Sequence, residues 1–228
     1  MPIPLYLAMT AAEFYHCNPL PEKIAWMACH FSPYGTGITN CPTTLPPGSL
    51  LILNDRTPVC GHDPQRVAGQ IAQLAEAHHC AGILLDLQRV DNPLEAKVVQ
   101  AICRSAPCPV AVTEFYCRDC DCAVFLSPPL HIPLDAVLSS WHGREIWLEA
   151  ATEDMAFRIT EDGCTKMPLP CPPDSFPHTA EGAFSRYHIS VEKDTITFSF
   201  QRTSEDLQIM GEKANDVRCM VGLYQQIK

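Results

Sequence analysis

The sequence predicts an α/β fold: a small or incomplete (β/α)8 TIM-type barrel that lacks some helices and carries β-hairpin insertions in its C-terminal third. Three observations carry this. Short apolar runs bounded by Pro, Gly and Asp recur through the first 150 residues, most of them continuously apolar rather than alternating. That is how strands read when both faces are covered, as in a parallel sheet. Amphipathic helical segments fall between several of them, giving the strand–helix–strand order of an α/β fold. Seven or eight such strands suit a closed barrel better than an open sheet, and 228 residues is near the lower end for one.

The first strand is read in PLYLAM (4–9), reaching towards Glu13, and the second in KIAWMACHF (23–31). Residues 16–22 leave no room for a helix between them. The third strand is SLLILND (49–55). A helix over 63–79 follows, with Asp63 as N-cap, Pro64 in the first turn, and Val67, Ile71, Leu74 and Ala75 as its apolar stripe. AGILLDL (81–87) is the fourth strand. The next helix, 92–104, opens on NPLE: Asn92 caps it, Pro93 fits the first position, and Glu95 can reach back as in a capping box. CPVAVTEF (108–115) and CAVFLS (122–127) are strands joined by residues 117–121, too few for a full crossover helix. A third helix is expected over 133–141, then a strand in EIWLEA (145–150).

Beyond residue 150 the pattern changes. MAFRITEDGCTKMPLP reads as a hairpin around Asp162-Gly163, and RYHISVEKDTITFSFQRT as a second, with Ile196, Phe198 and Phe200 alternating. The proline-rich PLPCPPDSFPH between them is a loop. The chain is thus expected to be one barrel-like domain over 1–228, with hairpins decorating it over 150–203 and a last helix within 204–228 carrying Val217, Met220, Val221 and Tyr224. A separate small β subdomain is the alternative for the hairpins.

Composition bounds the partners. The net charge is −10 with only 16 basic residues and no run of them. That argues against nucleic acid, whose phosphates need clustered Lys and Arg, and against an anionic membrane surface. No apolar run approaches the ~20 residues of a membrane span, and MPIPLYLAMTAAEF lacks a basic n-region. A cytoplasmic location is the expectation. Thirteen cysteines are scattered and often sit inside apolar runs, as reduced, buried thiols do. The CRDCDC loop, with Cys117, Cys120 and Cys122, has spacing that a soft metal can use, but a fourth ligand (His131 or Cys60) would have to come from elsewhere. A cysteine-rich loop without metal is the simpler reading. No cofactor is expected, and no phosphate-binding loop, nucleophile elbow or H-E-x-x-H motif is present.

In a (β/α)8 barrel the chemistry sits at the C-terminal ends of the strands. Those ends are polar here: Glu13, His30, the run Asp55-Arg56, then Asp86, Gln88 and Arg89, then Glu114 and Tyr116, and Glu149. Converging carboxylates can supply a general acid and a base, with Asp86, Glu114 and Glu149 the candidates. Arg56 and Arg89 suit an anionic group, or simply neutralise Asp55 and Asp86. Strand ends are polar in most barrels, so each residue alone has a bland reading as well.

The segment AGILLDLQR resembles the fourth-strand motif of glycoside hydrolase family 18, the chitinase-like barrels, whose pattern is D-x-x-D-x-D-x-E. Gly82 matches the family glycine and Asp86 the last aspartate. The first two aspartates fall on Ala81 and Leu84, and the catalytic glutamate falls on Gln88. The resemblance implies the fold and a sugar-sized cleft holding a small sugar or an anionic small molecule. It speaks against ordinary chitinase chemistry, because an amide has no proton to give the leaving oxygen. An active hydrolase in which Glu114 or Glu149 works with Asp86 is the alternative.

Overall fold

The structure is a computed structural model. It describes residues 3–55, 61–87, 92–127, 134–150, 155–160, 163–167, 179–182, 185–192, 195–201 and 216–223.

Eight parallel strands close a barrel. They are β1 (Leu5–Met9), β2 (Ile24–Phe31), β4 (Leu50–Asn54), β5 (Gly82–Asp86), β6 (Val110–Thr113), β7 (Ala123–Leu126), β8 (Ile146–Glu149) and β14 (Val217–Leu223). Each pairs with its neighbour in that order, and β14 and β2 both pair with β1, so the barrel has no free edge. The two-residue β3 (Ile38–Thr39) lies antiparallel on the end of β2. Between β8 and β14 the chain forms a second, five-stranded antiparallel sheet in the order β10-β9-β13-β12-β11, from β9 (Met155–Thr160), β10 (Gly163–Met167), β11 (Thr179–Gly182), β12 (Ser185–Glu192) and β13 (Thr195–Gln201). Both expected hairpins are there, β9 with β10 and β12 with β13, and they share one sheet.

Helices cover the barrel incompletely. α2 (Pro64–Ala77) and α3 (Pro93–Ser105) have the predicted caps: Asp63 Oδ1 accepts from Gln65 N at 3.0 Å, and Asn92 Oδ1 accepts from Leu94 N at 3.0 Å. α4 is short (Leu134–Ser139), and a 3-10 turn (Cys117–Asp119) stands where residues 117–121 were too few for a helix.

Two expectations are corrected. Val217–Leu223, expected in a helix, is β14, which closes the barrel between β8 and β1. The rest of the expected helix lies outside the described residues. The first strand stops at Met9 rather than near Glu13, and α1 (Ala11–His16) follows it. Its signal is Thr10-x-x-Glu13: Glu13 N donates to Thr10 Oγ1 at 3.3 Å, and Thr10 N donates back to Glu13 Oε2 at 2.7 Å, a full capping box.

Strand alternation divides the buried side chains into two layers. Tyr6, Ala8, Ala25, Leu50, Ile52, Leu84, Ala111, Ala123, Phe125, Trp147, Cys219 and Val221 fill the barrel interior. The intervening residues, such as Trp26, Leu51, Ile83, Leu85, Val112 and Leu148, face outward under the helices with Val67, Ile71, Val98 and Ile102. Trp147 fits inside the barrel because Gly82 leaves room for its ring. A Cβ added to Gly82 would collide with Trp147 Cη2 and stand 3.1 Å from the Pro109 carbonyl. Gly82 is therefore glycine for packing, whatever family its position resembles.

Candidate functional site

The strand ends sort into an inner set and an outer set. Leu84 belongs to the interior layer, so alternation turns Asp86, two residues on, the same way. Asp86 is in register with Asn54, which is in register with His30. Glu149 follows the interior Trp147 by two residues and pairs with the interior Val221. Asn54, Asp86 and Glu149 thus belong to the inner face at the C-terminal mouth, with Asp86 and Glu149 on strands three steps apart around the barrel.

The mouth has a defined local cause for its shape. The β2–β4 register shifts between Trp26 and Cys29, a bulge of the kind that takes a carbonyl out of the ladder. Asn54 Nδ2 donates to that region's Met27 carbonyl at 3.1 Å. His30 is held by the β2–β3 turn. Its Nε2 meets Asn40 Nδ2 at 3.0 Å, and its Nδ1 meets Thr39 Oγ1 at 2.9 Å and the Phe31 carbonyl at 3.1 Å. With the amide donating to Nε2, Nδ1 carries the proton, and both ring nitrogens are engaged within this loop.

The outer set is centred on α3. Asp55 follows the outward-facing Leu53 and is buried. Glu95, in the first turn of α3, is 0% exposed. Its Oε2 accepts from the Tyr116 hydroxyl at 2.9 Å and its Oε1 from Asn92 Nδ2 at 3.1 Å. The expected capping box is thereby altered: the Asn92 backbone N–H donates to Tyr116 Oη at 3.4 Å instead of to Glu95. Burial pushes the Tyr116 hydroxyl up to about 12, and the Glu95 hydrogen bond, the Glu95 charge and the Asp55 charge add to it.

Glu114 lies past the end of β6, exposed, on the wall of an outer groove of about 660 Å³ with Gln100, Phe115, Tyr116, Arg118 and Trp141. The structure does not bring it to Asp86. Of the three candidate catalytic carboxylates, Asp86 and Glu149 share the inner face and Glu114 does not. Glu13 lies in α1, just past the end of β1, and its carboxylate serves the capping box. Replacing Glu13 by Ala should lower stability by ~1 kcal/mol, the usual worth of a cap, and leave binding at the mouth unchanged. A thermal melt and a ligand titration of the same variant check both. Arg56, Gln88 and Arg89 lie outside the described residues, as do Cys60 and His131.

In the cysteine-rich loop, Cys120 and Cys122 both lie against the Cys103 thiol of α3, while Cys117 turns to the backbone. Cys117 Sγ donates to the Glu114 carbonyl at 3.4 Å, and the Cys117 carbonyl takes Arg144 Nη1 at 2.6 Å. Cys122 is paired with Cys103 of α3, whose thiol hydrogen-bonds to it and lowers its proton affinity. Among the described residues no group of three or more His, Cys, Asp or Glu is placed to hold a metal. His62 is a core residue: Nε2 meets the Gly37 carbonyl at 3.0 Å and the ring packs edge-on against Phe31. No helix among the described residues is long and apolar enough to cross a membrane.

The chain is similar in structure to a multi-modular enzyme. That protein is the chitinase ChiW from Paenibacillus sp. str. FPU-7, a bacterial cell-surface-expressed multi-modular enzyme, matched with a TM-score of 0.61 at 11% identity. The match covers 99% of this chain and 41% of ChiW. In fold, this chain is similar to a chitinase. At that identity the likeness is one of architecture: the parallel eight-stranded barrel. No family model matches the sequence, and no curated protein matches it either.

Proposed function

We propose that this chain is a carbohydrate-type binding or scaffold protein on a degenerate, family-18-like chitinase barrel, without standard chitinase catalysis. The observation that carries this reading is Gln88, which stands where the resemblance sets the catalytic acid. A carboxamide cannot protonate a leaving oxygen. Loss of a general acid costs roughly 10²–10⁴-fold in rate. What remains at the mouth suits recognition. Asp86 and Glu149 offer acceptors to sugar hydroxyls from two sides of the barrel, and ring hydroxyls are donors that a carboxylate holds well.

The test is a calorimetric titration with a short N-acetylglucosamine oligomer, followed by product analysis. Binding without cleavage is expected, and Asp86→Ala should weaken it at least tenfold, since the mouth would lose a charged acceptor worth ~1.5–3 kcal/mol. Absence of binding at millimolar sugar would overturn the reading. A second reading, an active hydrolase using Asp86 with Glu149, is favoured by their shared inner face. It predicts cleavage by the unaltered protein and its loss in Glu149→Gln. Gln88→Glu distinguishes a lost acid from a lost site: it creates activity only where the remaining geometry still serves catalysis.

A further inference from the structure

Two thiols at the rim of the barrel are placed to react with each other. Cys29 is on β2, faces outward and is 0% exposed; Cys41 is exposed. The antiparallel β2–β3 register pairs His30 with Thr39 and Phe31 with Ile38, so one further step sets Asn40 opposite Cys29. Asn40 has a left-handed φ of 54°, which turns the chain back on itself there. Its carbonyl accepts from Trp26 Nε1 at 3.0 Å and from Cys29 Sγ at 3.9 Å, fixing the turn over the buried thiol. The turn brings the Cys41 sulfur beside the Cys29 thiol, so that a Cys41 thiolate takes the Cys29 proton in place of the Asn40 carbonyl.

We propose that Cys41 and Cys29 form a thiol–disulfide couple that reacts with low-molecular-weight disulfides, Cys41 as the attacking thiol and Cys29 as the resolving one. The site is separate from the proposed ligand mouth, and the proposal stands independently of that function. It adjoins the mouth through His30, which follows Cys29, and through Asn40, which precedes Cys41 and holds His30.

The chemistry balances without any other reactant. The Cys41 thiolate attacks one sulfur of the small disulfide; its S–S bond breaks, one small thiolate leaves, and a mixed disulfide forms on Cys41. The negative charge that held the Cys29 proton is then gone. Cys29 loses its proton to solvent, its thiolate attacks the Cys41 sulfur, and the second small thiolate departs and is protonated. Two protein thiols and one small disulfide become one protein disulfide and two small thiols.

The asymmetry of the pair fits these roles. The Cys29 hydrogen bond holds the Cys41 thiol down at about 7, against the opposing effect of burial and with help from a backbone hydrogen bond. That same bond, together with burial and the neighbouring Cys80, pushes Cys29 far up. At pH 7 about half of Cys41 is then thiolate, against ~3% for an ordinary thiol near 8.5. The lower basicity takes back part of that ~15-fold advantage, leaving a net gain of about threefold in attack rate. The pH profile is therefore the sharper readout.

The experiment uses the full chain and glutathione disulfide. Cys29 and Cys41 lie in one tryptic peptide, 24–56, with no Lys or Arg between them. The crosslink therefore appears as the loss of two hydrogens, and chymotryptic cleavage after Phe31 or Tyr34 leaves the halves joined until reduction. The unaltered chain should give this crosslink, Cys29→Ala should stop at the glutathione adduct on Cys41, and Cys41→Ser should give neither. Iodoacetamide labelling of Cys41 should be half-maximal near pH 7 and move upward by a unit or more in Cys29→Ala. A Cys41 that keeps its glutathione in the unaltered chain, or one that labels like an ordinary thiol, overturns the proposal. Both of those readouts need only the unaltered protein, so they decide the question even where Cys29→Ala folds poorly.

Discussion

Replacing Trp147 by Ala should destabilise the barrel by ~3–5 kcal/mol, the range for emptying a large aromatic site in a core. Trp147 is the largest side chain of the interior layer and is 1% exposed. Its register neighbours are Phe125 of β7 and Cys219 of β14, on a closed barrel whose strands cannot collapse into the space it would leave. Its Nε1 also donates to Glu145 Oε1 at 3.0 Å, and Glu145 Oε2 meets Arg218 Nη1 of β14 at 3.1 Å. That exposed ion pair adds little by itself. The cavity is what costs. Gly82 supplies the complementary experiment. Gly82→Ala drives a methyl into the Trp147 ring and against a backbone carbonyl that cannot move away cheaply, an overpacking worth ~1–3 kcal/mol. In a Trp147→Leu background the ring is gone and only the carbonyl contact is left, so the added methyl should cost less than half as much. Urea unfolding of the four proteins gives the coupling, expected at ~1 kcal/mol or more for residues in direct contact. Additive effects would mean that Gly82 is glycine for another reason.

This pair shows where the fold was legible. Seven barrel strands could be read because each is a continuous apolar run between turn residues, and α2 and α3 because Asp63-Pro64 and Asn92-Pro93 announce helix starts. The eighth strand was misread for a physical reason. Val217, Met220, Val221 and Tyr224 recur at helical spacing, and a run of seven residues satisfies either period. Only pairing with β1 and β8, more than sixty residues away in sequence, decides it. α1 was missed although Thr10-x-x-Glu13 carries the capping-box signal, since PLYLAM made the apolar run look longer than it is.

The site was legible in part. Which residues end the strands could be read, but not which way they face. One residue of offset sends Asn54 inward and Asp55 outward, or Thr113 to its bond with the Leu87 carbonyl and Glu114 to the outer groove. Facing is fixed by closure of the barrel, and closure needed the strand that the sequence disguised. The Cys29–Cys41 contact had no signal at all. It arises from a two-residue antiparallel strand and a single left-handed Asn.

Glu95 carries the second large effect. Its carboxylate is fully buried yet receives the Tyr116 hydroxyl and the Asn92 amide, so one side chain ties the start of α3 to the turn after β6. Glu95→Ala leaves both half-buried donors without their acceptor, each at the low end of ~1–3 kcal/mol, and opens a gap besides; a total loss of ~2–4 kcal/mol is expected. Glu95→Gln retains an acceptor for Tyr116 and should cost well under half of that. Tyr116→Phe takes the donor from Glu95 Oε2 and the acceptor from the Asn92 N–H but leaves the Asn92 amide on Glu95, and should be milder than Glu95→Ala. Its diagnostic is alkaline pH. The Tyr116 hydroxyl is raised in the folded chain from an ordinary 10.0 to about 12, chiefly by burial and then by Glu95. Between those values the unfolded chain has released the proton and the folded chain still holds it. The folded state is then favoured less at each step of rising pH, so Tyr116 contributes stability that is whole below pH ~10 and lost by pH ~12. Burial raises Tyr6, Cys80 and Cys219 in the same direction, so they too erode stability at alkaline pH. The measurement is therefore the difference between the unaltered chain and Tyr116→Phe, followed by urea unfolding from pH 8 to 11. The gap between the two should narrow as pH rises. A constant gap would mean that Tyr116 ionises as freely in the folded chain as in the unfolded one, and that its hydroxyl is not tied to Glu95.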